Sequence, residues 1–257
     1  MNLVQGKISE LLSMKTYPKQ LFYDGNLELL NRVKVSIVGS RRPTKYSRLE
    51  IQKLSSSLSK SGICTVSGGA MGIDAVAHAG AGAFNTIAVL PCGVDIRYPA
   101  VNKNLLNEIQ KSGLLLSQFD EGFRSTPWSF VVRNELVVAL GEVLVVGEAE
   151  LSSGTMRSVE FAIEMGKEIF VLPQRLGESQ GTNGLLKENM AKVIYDIDEF
   201  VARFSADKKI DVKTDAFLEF CKTNPSYEEA QKLYQDRIFE AELGGEIEVV
   251  NGRVIVI

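Results

Sequence analysis

Cysteine is scarce in this chain: Cys64, Cys92 and Cys221 are the only three, far apart in sequence and odd in number. That excludes a disulfide-stapled secreted fold and shows no metal-ligand spacing, so a reducing cytoplasm is the expected compartment and no metal or cofactor is expected. Histidine is scarcer still, with His78 alone. A single imidazole without a Ser or Cys nucleophile pattern around it reads as a structural residue. No apolar run approaches the roughly 20 residues of a membrane span, so no membrane partner is expected. The longest apolar runs, at 143–146 and 169–172, are short and β-branched and read as buried strands. Residues 1–20 mix Lys, Glu and Gln with single apolar residues and lack the apolar stretch of a signal peptide. Excess charge is lacking too: the formal net charge of −3 argues against a general nucleic-acid binder, which is usually basic.

What is present is unevenly placed. Between Arg32 and Lys53 the basic residues Arg32, Lys34, Arg41, Arg42, Lys45, Arg48 and Lys53 face a single acid, Glu50. Between Asp215 and Glu248 acidic residues outnumber basic ones nine to three. At 257 residues and 45% hydrophobic, the chain can build one large domain and one small one. Short β-branched runs at 33–38, 63–66, 86–90, 114–117, 142–146 and 168–172 alternate with stretches of helical apolar spacing at 44–60, 71–82, 102–111, 130–140 and 156–165. Strands apolar on both faces and separated by helices indicate a mostly parallel sheet covered on both sides. The predicted class is therefore α/β, a doubly wound Rossmann-like sheet over residues 1–205. The first 30 residues read as helical. The alternation fades near Phe200, and the polar stretch 204–212 reads as a linker. Helical spacing at 215–223 and 227–241, a break at Gly244-Gly245, and two alternating runs around Asn251-Gly252 predict two helices and a hairpin. Residues 206–257 are thus expected to form a small winged-helix-like domain.

The chemistry is carried by turns of small residues after the predicted strands. Gly39-Ser40-Arg41-Arg42-Pro43 follows the first. Its glycine permits a tight turn, the next helix offers N–H groups to an anion, and Arg41 can contact a phosphate, with Arg42 and Lys45 beside it. It is not the dinucleotide fingerprint, because the GxGxxG spacing is missing. Ser67-Gly68-Gly69-Ala70-Met71-Gly72-Ile73-Asp74 follows the second strand and reads as a cradle of backbone donors. Asp74 either caps the next helix or orients Arg41. Ser152-Ser153-Gly154-Thr155 makes a third such turn, and Gly181-Thr182-Asn183-Gly184 begins a fourth. In an open parallel sheet such turns gather at the carboxyl edge, where ligands bind. Phe130, Arg133 and Asn134 lie in an otherwise apolar helix. Arg133 is either buried against a carboxylate or set at the edge of the site, and Phe130 or Trp128 offers a face for stacking a base.

Together these motifs resemble the DNA-processing protein A family (DprA, also called Smf) of bacterial natural transformation. The resemblance runs in order over roughly residues 15–195. It takes in residues 37–41, 67–74, Ala77-His78, Val89-Leu90-Pro91-Cys92-Gly93, Tyr98-Pro99, residues 130–134, Ser153-Gly154-Thr155, Val171-Leu172-Pro173 and Gly181-Thr182-Asn183. It implies an extended Rossmann fold that binds single-stranded DNA in a pocket including the Gly-Ser-Arg turn. It also implies a homodimer, protection of incoming DNA and loading of the recombinase RecA, by binding and without a catalytic step. There are departures. Glu135 stands where the family often carries Arg, Asn189-Met190-Ala191 replaces a common Gly-Ala ending, the family's optional N-terminal helical domain is expected to be absent or shortened, and the C-terminal module is acidic. An acidic module is a poor reader of duplex DNA, since phosphate contacts dominate that affinity, so a protein-contact or accessory role is expected of it. The alternatives are a nucleotide-hydrolysing enzyme resembling the phosphoribohydrolases, or a nucleotide sensor. Against the enzyme, Glu160 follows Thr155 by five residues, too far to share its turn.

Overall fold

Residues buried on both faces of a strand need helices on both sides, and here the chain supplies them in alternation. The computed structural model describes residues 2–205, 216–221, 223–235, 238, 241–242, 247–250 and 252–256, and packing divides the chain into two units, 1–205 and 206–257. The first unit contains Asn2–Leu3 (β1), Phe22–Gly25 (β2), Lys34–Val38 (β3), Lys45–Lys60 (α1), Cys64–Ser67 (β4), Ile73–Ala81 (α2) and Thr86–Val89 (β5). It continues with Lys103–Ser112 (α3), Leu114–Ser117 (β6), Pro127–Leu140 (α4), Leu144–Val146 (β7), Gly154–Glu164 (α5), Ile169–Val171 (β8), Gln180–Lys187 (α6), Lys192–Val193 (β9) and Ile197–Ser205 (α7). Every residue of β3 to β8 is buried. Their nine-stranded sheet has the order β1-β2-β6-β5-β4-β3-β7-β8-β9. From β6 to β9 all pairings are parallel, and β2 is antiparallel to both β6 and β1.

The two-residue period of the strands sorts side chains between two cores. Val35 and Ile37 of β3 pack with Ile51, Leu54 and Leu58 of α1 and Ile73 and Ala77 of α2. Val38, Val66 and Val146 turn to the other face, under Leu136, Val137 and Leu140 of α4. After β3 the chain builds outward through β4, β5 and β6. Helix α4 then carries it back to β7, on the far side of β3. Strand order therefore reverses between β3 and β7, and that reversal leaves a crevice at the carboxyl ends of these two strands.

The opening segment differs from expectation. Instead of α-helix, residues 2–31 form β1, β2 and two short 3-10 turns. Strand β2 pairs with β6 from Phe22 opposite Ser117 to Gly25 opposite Leu114, so edge pairing overrides weak local helical spacing. The segment expected as a linker begins later than 204, because Phe204 is buried against Phe200 at 5.3 Å within α7. The rest of that stretch, 206–212, lies outside the described residues, as do Gly244-Gly245 and Asn251.

In the second unit, Ala216–Cys221 (α8) and Tyr227–Tyr234 (α9) precede a hairpin of Ile247–Val250 (β10) and Arg253–Val256 (β11). Ser226 and Glu229 form a reciprocal capping box at the start of α9. The helix breaks after Tyr234, where Gln235 turns to a positive φ of +44°, and the described residues 238 and 241–242 are again helical. Phe217, Ala230, Ile247 and Val254 are buried together. Val250 pairs with Arg253, and Gly252 lies in a turn at φ +75°. Among the described residues no helix is long and apolar enough to cross a membrane.

Candidate functional site

The turn after β3 is built by close backbone approach. A Cβ on Gly39 would sit 2.6 Å from Ile73 Cγ1, so only glycine lets α2 pack against the turn. Gly72, at φ +82°, sits directly under the Ser40 carbonyl and the Arg41 backbone, and a Cβ there would run into both. Ser40 N donates to Glu148 O at 2.8 Å, Ile73 N donates to Ser40 O at 3.1 Å, and Arg42 N donates to Ser40 Oγ at 3.1 Å. The N-terminus of α1 is not open to a ligand. Thr44 caps it by accepting from Ser47 N, and the buried Glu148 carboxylate accepts from Thr44 N and Thr44 Oγ1, each at 2.9 Å. The protein's own carboxylate thus occupies the place where an anion was expected.

The turn after β4 is likewise closed from within. The Asp74 carboxylate accepts from Gly68 N at 3.2 Å and from Ala70 N at 3.3 Å, so it fills the backbone cradle instead of capping α2 or orienting Arg41. Arg133, only 4% exposed, donates to Gly68 O and to Val89 O (3.1 Å to the latter), with its Nε on Asn134 Oδ1 at 3.1 Å. Burial pushes the Asp74 carboxyl up and the Arg133 guanidinium down, and the attraction between the two opposes both shifts. His78 lies below them. Its Nδ1 meets Thr86 Oγ1 at 2.7 Å, and Thr86 Oγ1 donates to Thr65 O, which fixes the proton on Nδ1. Desolvation, aided by the Arg133 charge, holds the imidazole pKa down at about 3, so His78 is neutral.

The third turn stays open. Ser153 is the N-cap of α5 but makes no side-chain cap, and its buried Oγ has no hydrogen-bond partner. A cleft of about 550 Å³ opens in front of it at the β3/β7 crevice, lined by Gly39, Ser40, Arg41, Phe130, Arg133, Asn134, Ser153, Gly154 and Thr155, among others. Arg41 is exposed and its guanidinium lies over the Phe130 ring, 5.6 Å from the centroid. Tyr98 meets the same ring edge-on at 5.7 Å. A recess of about 30 Å³ between Tyr98, Phe130, Arg41 and Gly68 continues the cleft. The arrangement offers an unpaired cation, an aromatic face and a helix start whose N–H groups lack a side-chain cap, which suits a phosphate joined to a planar base.

Other expected site residues lie elsewhere. Ser67 is buried with its Oγ on Ile37 O at 2.6 Å, and Gly69 packs against Leu106 and Leu90. Gly72 acts from behind, on the turn's backbone. Arg42 and Lys45 are exposed and do not line the cleft. Asn183 lies within α6, and its amide donates to Arg175 O at 3.0 Å and Glu178 O at 2.8 Å, so it clamps a loop and does not form a fourth ligand turn. Trp128 packs edge-on to Phe119 at 5.7 Å and is absent from the lining. Glu135 accepts from Lys15 N at 3.2 Å and also stays out of the cleft. Arg157 and Glu150 line the cleft without having been picked out from the sequence. Arg157 follows Ser153 by four residues, one helical turn, and that spacing was the available signal. Arg157 pairs with Glu160 at 2.6 Å on the surface and Arg133 is buried, which leaves Arg41 as the exposed lining cation outside any ion pair among the described residues. No group of three or more His, Cys, Asp or Glu among the described residues is placed to hold a metal.

A doubly wound sheet with a cleft at its switch point defines the Rossmann-like class of proteins that take phosphate-bearing ligands at the carboxyl edge. Within that class, the chain belongs to the DNA recombination-mediator protein A family, whose sequence profile matches residues 6–205. It is 36% identical over 191 residues to the DNA processing protein DprA of Streptococcus pneumoniae, covering 73% of this chain and 67% of that one. The X-ray structure of that protein superposes with a TM-score of 0.70 at 33% identity, over 76% of this chain and 69% of that one. The Helicobacter pylori DNA processing protein A, studied for its single-stranded DNA binding mode, superposes with a TM-score of 0.78 at 39% identity, over 80% of this chain and 96% of that one. Protein Smf of Synechocystis is 35% identical over 76% of this chain, and the match spans only 50% of its length.

Proposed function

We propose that this chain binds single-stranded DNA in the cleft between the carboxyl ends of β3 and β7 and acts as a recombination mediator in natural transformation. In this reading it protects incoming DNA and hands it to RecA, acts as a homodimer in the cytoplasm, and catalyses no step. Family membership and the DNA-binding Helicobacter pylori relative support it. The observation that carries it is local: the Arg41 guanidinium lies 5.6 Å over the Phe130 ring, facing a cleft that also holds the uncapped start of α5. Arg41 supplies the phosphate contact, Phe130 the base-stacking face, and Ser153, Gly154 and Thr155 the neutral donors. Gly39, Ser40, Gly68, Asn134 and the buried Arg133 hold these groups in place. The second unit, two helices and a hairpin, is read as a winged-helix-like accessory module.

The test is fluorescence anisotropy with labelled oligo-dT across salt, on the native chain and on Arg41→Ala. Native binding should weaken steeply with salt. Removing one phosphate interaction should flatten the slope of log K against log salt by about 0.7, the single-strand value. Phe130→Leu should weaken binding by roughly 5- to 150-fold while leaving the slope unchanged. Absence of native binding at low salt would sink the reading and favour a small nucleotide as the ligand.

A further inference from the structure

The cleft leaves Arg42 and Lys45 unexplained, although they sit in the most basic stretch of the chain. Directly beyond them lies a second cleft of about 600 Å³, lined by Thr44, Tyr46, Pro173, Gln174, Arg175 and Glu178. The connection from β3 to α1 forms the ridge between the two clefts: Gly39, Ser40 and Arg41 line the first, Thr44 and Tyr46 the second. Arg41 and Thr44 are three residues apart, so at most about 11 Å of chain separates the clefts. Tyr46 is 43% exposed. Arg41, Arg42, Lys45 and Arg175 are all exposed, and none is in an ion pair among the described residues. Glu178 is the one acidic residue of the lining. The walls are set in advance. Gln174 Nε2 donates to Ser47 Oγ and to Gly147 O, each at 3.1 Å, and Asn183 holds the Arg175 and Glu178 carbonyls.

An unpaired cation in the lining, Arg175, with the exposed Lys45 between the lining residues Thr44 and Tyr46 and an exposed phenol ring, calls for a polyanion that also carries flat rings. The clefts share one ridge, so one extended ligand can run through both. We propose that the second cleft is a further subsite for the same single strand of DNA, with Arg175 and Lys45 meeting phosphates and Tyr46 stacking a base. This rests on the reading of the first cleft as DNA-binding. It gives Asn183 a positioning role, holding the loop that carries Arg175.

The experiment compares the full chain with the Arg175→Ala/Lys45→Ala double variant, on labelled oligo-dT of about 4 and about 16 nucleotides. Removing one cation from a single-strand phosphate flattens the salt slope by about 0.7, so the slope of the double variant should be flatter by about 1.4 on the long oligonucleotide. The short one fills the first cleft alone and should bind both proteins equally. Tyr46→Leu should weaken the long oligonucleotide by roughly 5-fold or more, and Tyr46→Phe should restore it. Melting temperatures of these surface variants check that the fold is intact. Native binding with an unchanged slope in the double variant overturns the subsite and leaves the first cleft standing. An equal loss on both lengths places these cations in the first cleft and also overturns the subsite. No binding by the native chain to either length overturns both readings.

Discussion

Arg133 is the residue for which a DNA contact and a structural strut make opposite predictions. It is 4% exposed, donates to two backbone carbonyls from different strand ends, and its charge opposes the burial-driven rise of the Asp74 pKa, the carboxyl that itself closes the Gly68 to Ala70 turn. Arg133→Met keeps much of the stem volume but removes the buried guanidinium. It leaves the Gly68 and Val89 carbonyls without their donor and Asp74 without the nearby positive charge, and each buried polar group left unsatisfied costs about 1–3 kcal/mol. Against the roughly 5–15 kcal/mol of a typical domain, that is a large fraction. Asp74→Asn leaves Arg133 with its carbonyl partners, so it should cost less. The double variant leaves no unpaired charge, and should be more stable than the sum of the two single losses by about 1–3 kcal/mol. Urea unfolding followed by the fluorescence of Trp128, the only tryptophan, reports on residues 1–205 specifically. The strut is refuted if Arg133→Met unfolds within about 1 kcal/mol of the native protein while its DNA salt slope falls by about 0.7, which is how a direct phosphate contact behaves.

His78 gives a pH prediction. Its folded pKa of about 3 lies below the usual 6.5, so the unfolded chain takes up the proton first as pH falls. The stability tied to a neutral His78 is full above pH 6.5 and is lost progressively as pH falls toward 3, at about 1.4 kcal/mol per pH unit and about 2 kcal/mol by pH 5. His78→Gln should remove that share of the pH slope in urea titrations between pH 6.5 and 4, and parallel slopes for the two proteins would count against a buried neutral imidazole. Gly72→Ala should lower oligo-dT affinity toward that of Arg41→Ala, because the new methyl group pushes the Ser40 carbonyl and the Arg41 backbone out of place. Anisotropy equal to native would show that the turn yields without moving Arg41.

The sheet was readable because its strands are buried on both faces and its helices carry apolar spacing, two periods that survive without tertiary information. Strands β1 and β2 were not readable: β2 exists through its pairing with β6, a partner distant in sequence, while its own residues Phe22-Tyr23-Asp24-Gly25 carry no alternating pattern. The small-residue turns were visible, and three of them do gather at one edge. What the sequence could not show is which of their donors remain available. Glu148 reaches back from the far side of β7 to Thr44, more than 100 residues away, and Asp74 folds onto the turn before it. Glu148 carries no signal in the sequence and Asp74 reads as a helix cap or a partner of Arg41, and both are buried. Their effect is subtractive. With the starts of α1 and the β4 turn filled from within, the capacity to bind an anion falls on α5, whose cap is missing, and on cations without partners. On the proposed reading, where the DNA lies is set as much by where the protein has supplied its own anions as by where it has placed Arg41. Replacing Glu148 would free the Thr44 N–H and hydroxyl at the start of α1 that its carboxylate now holds.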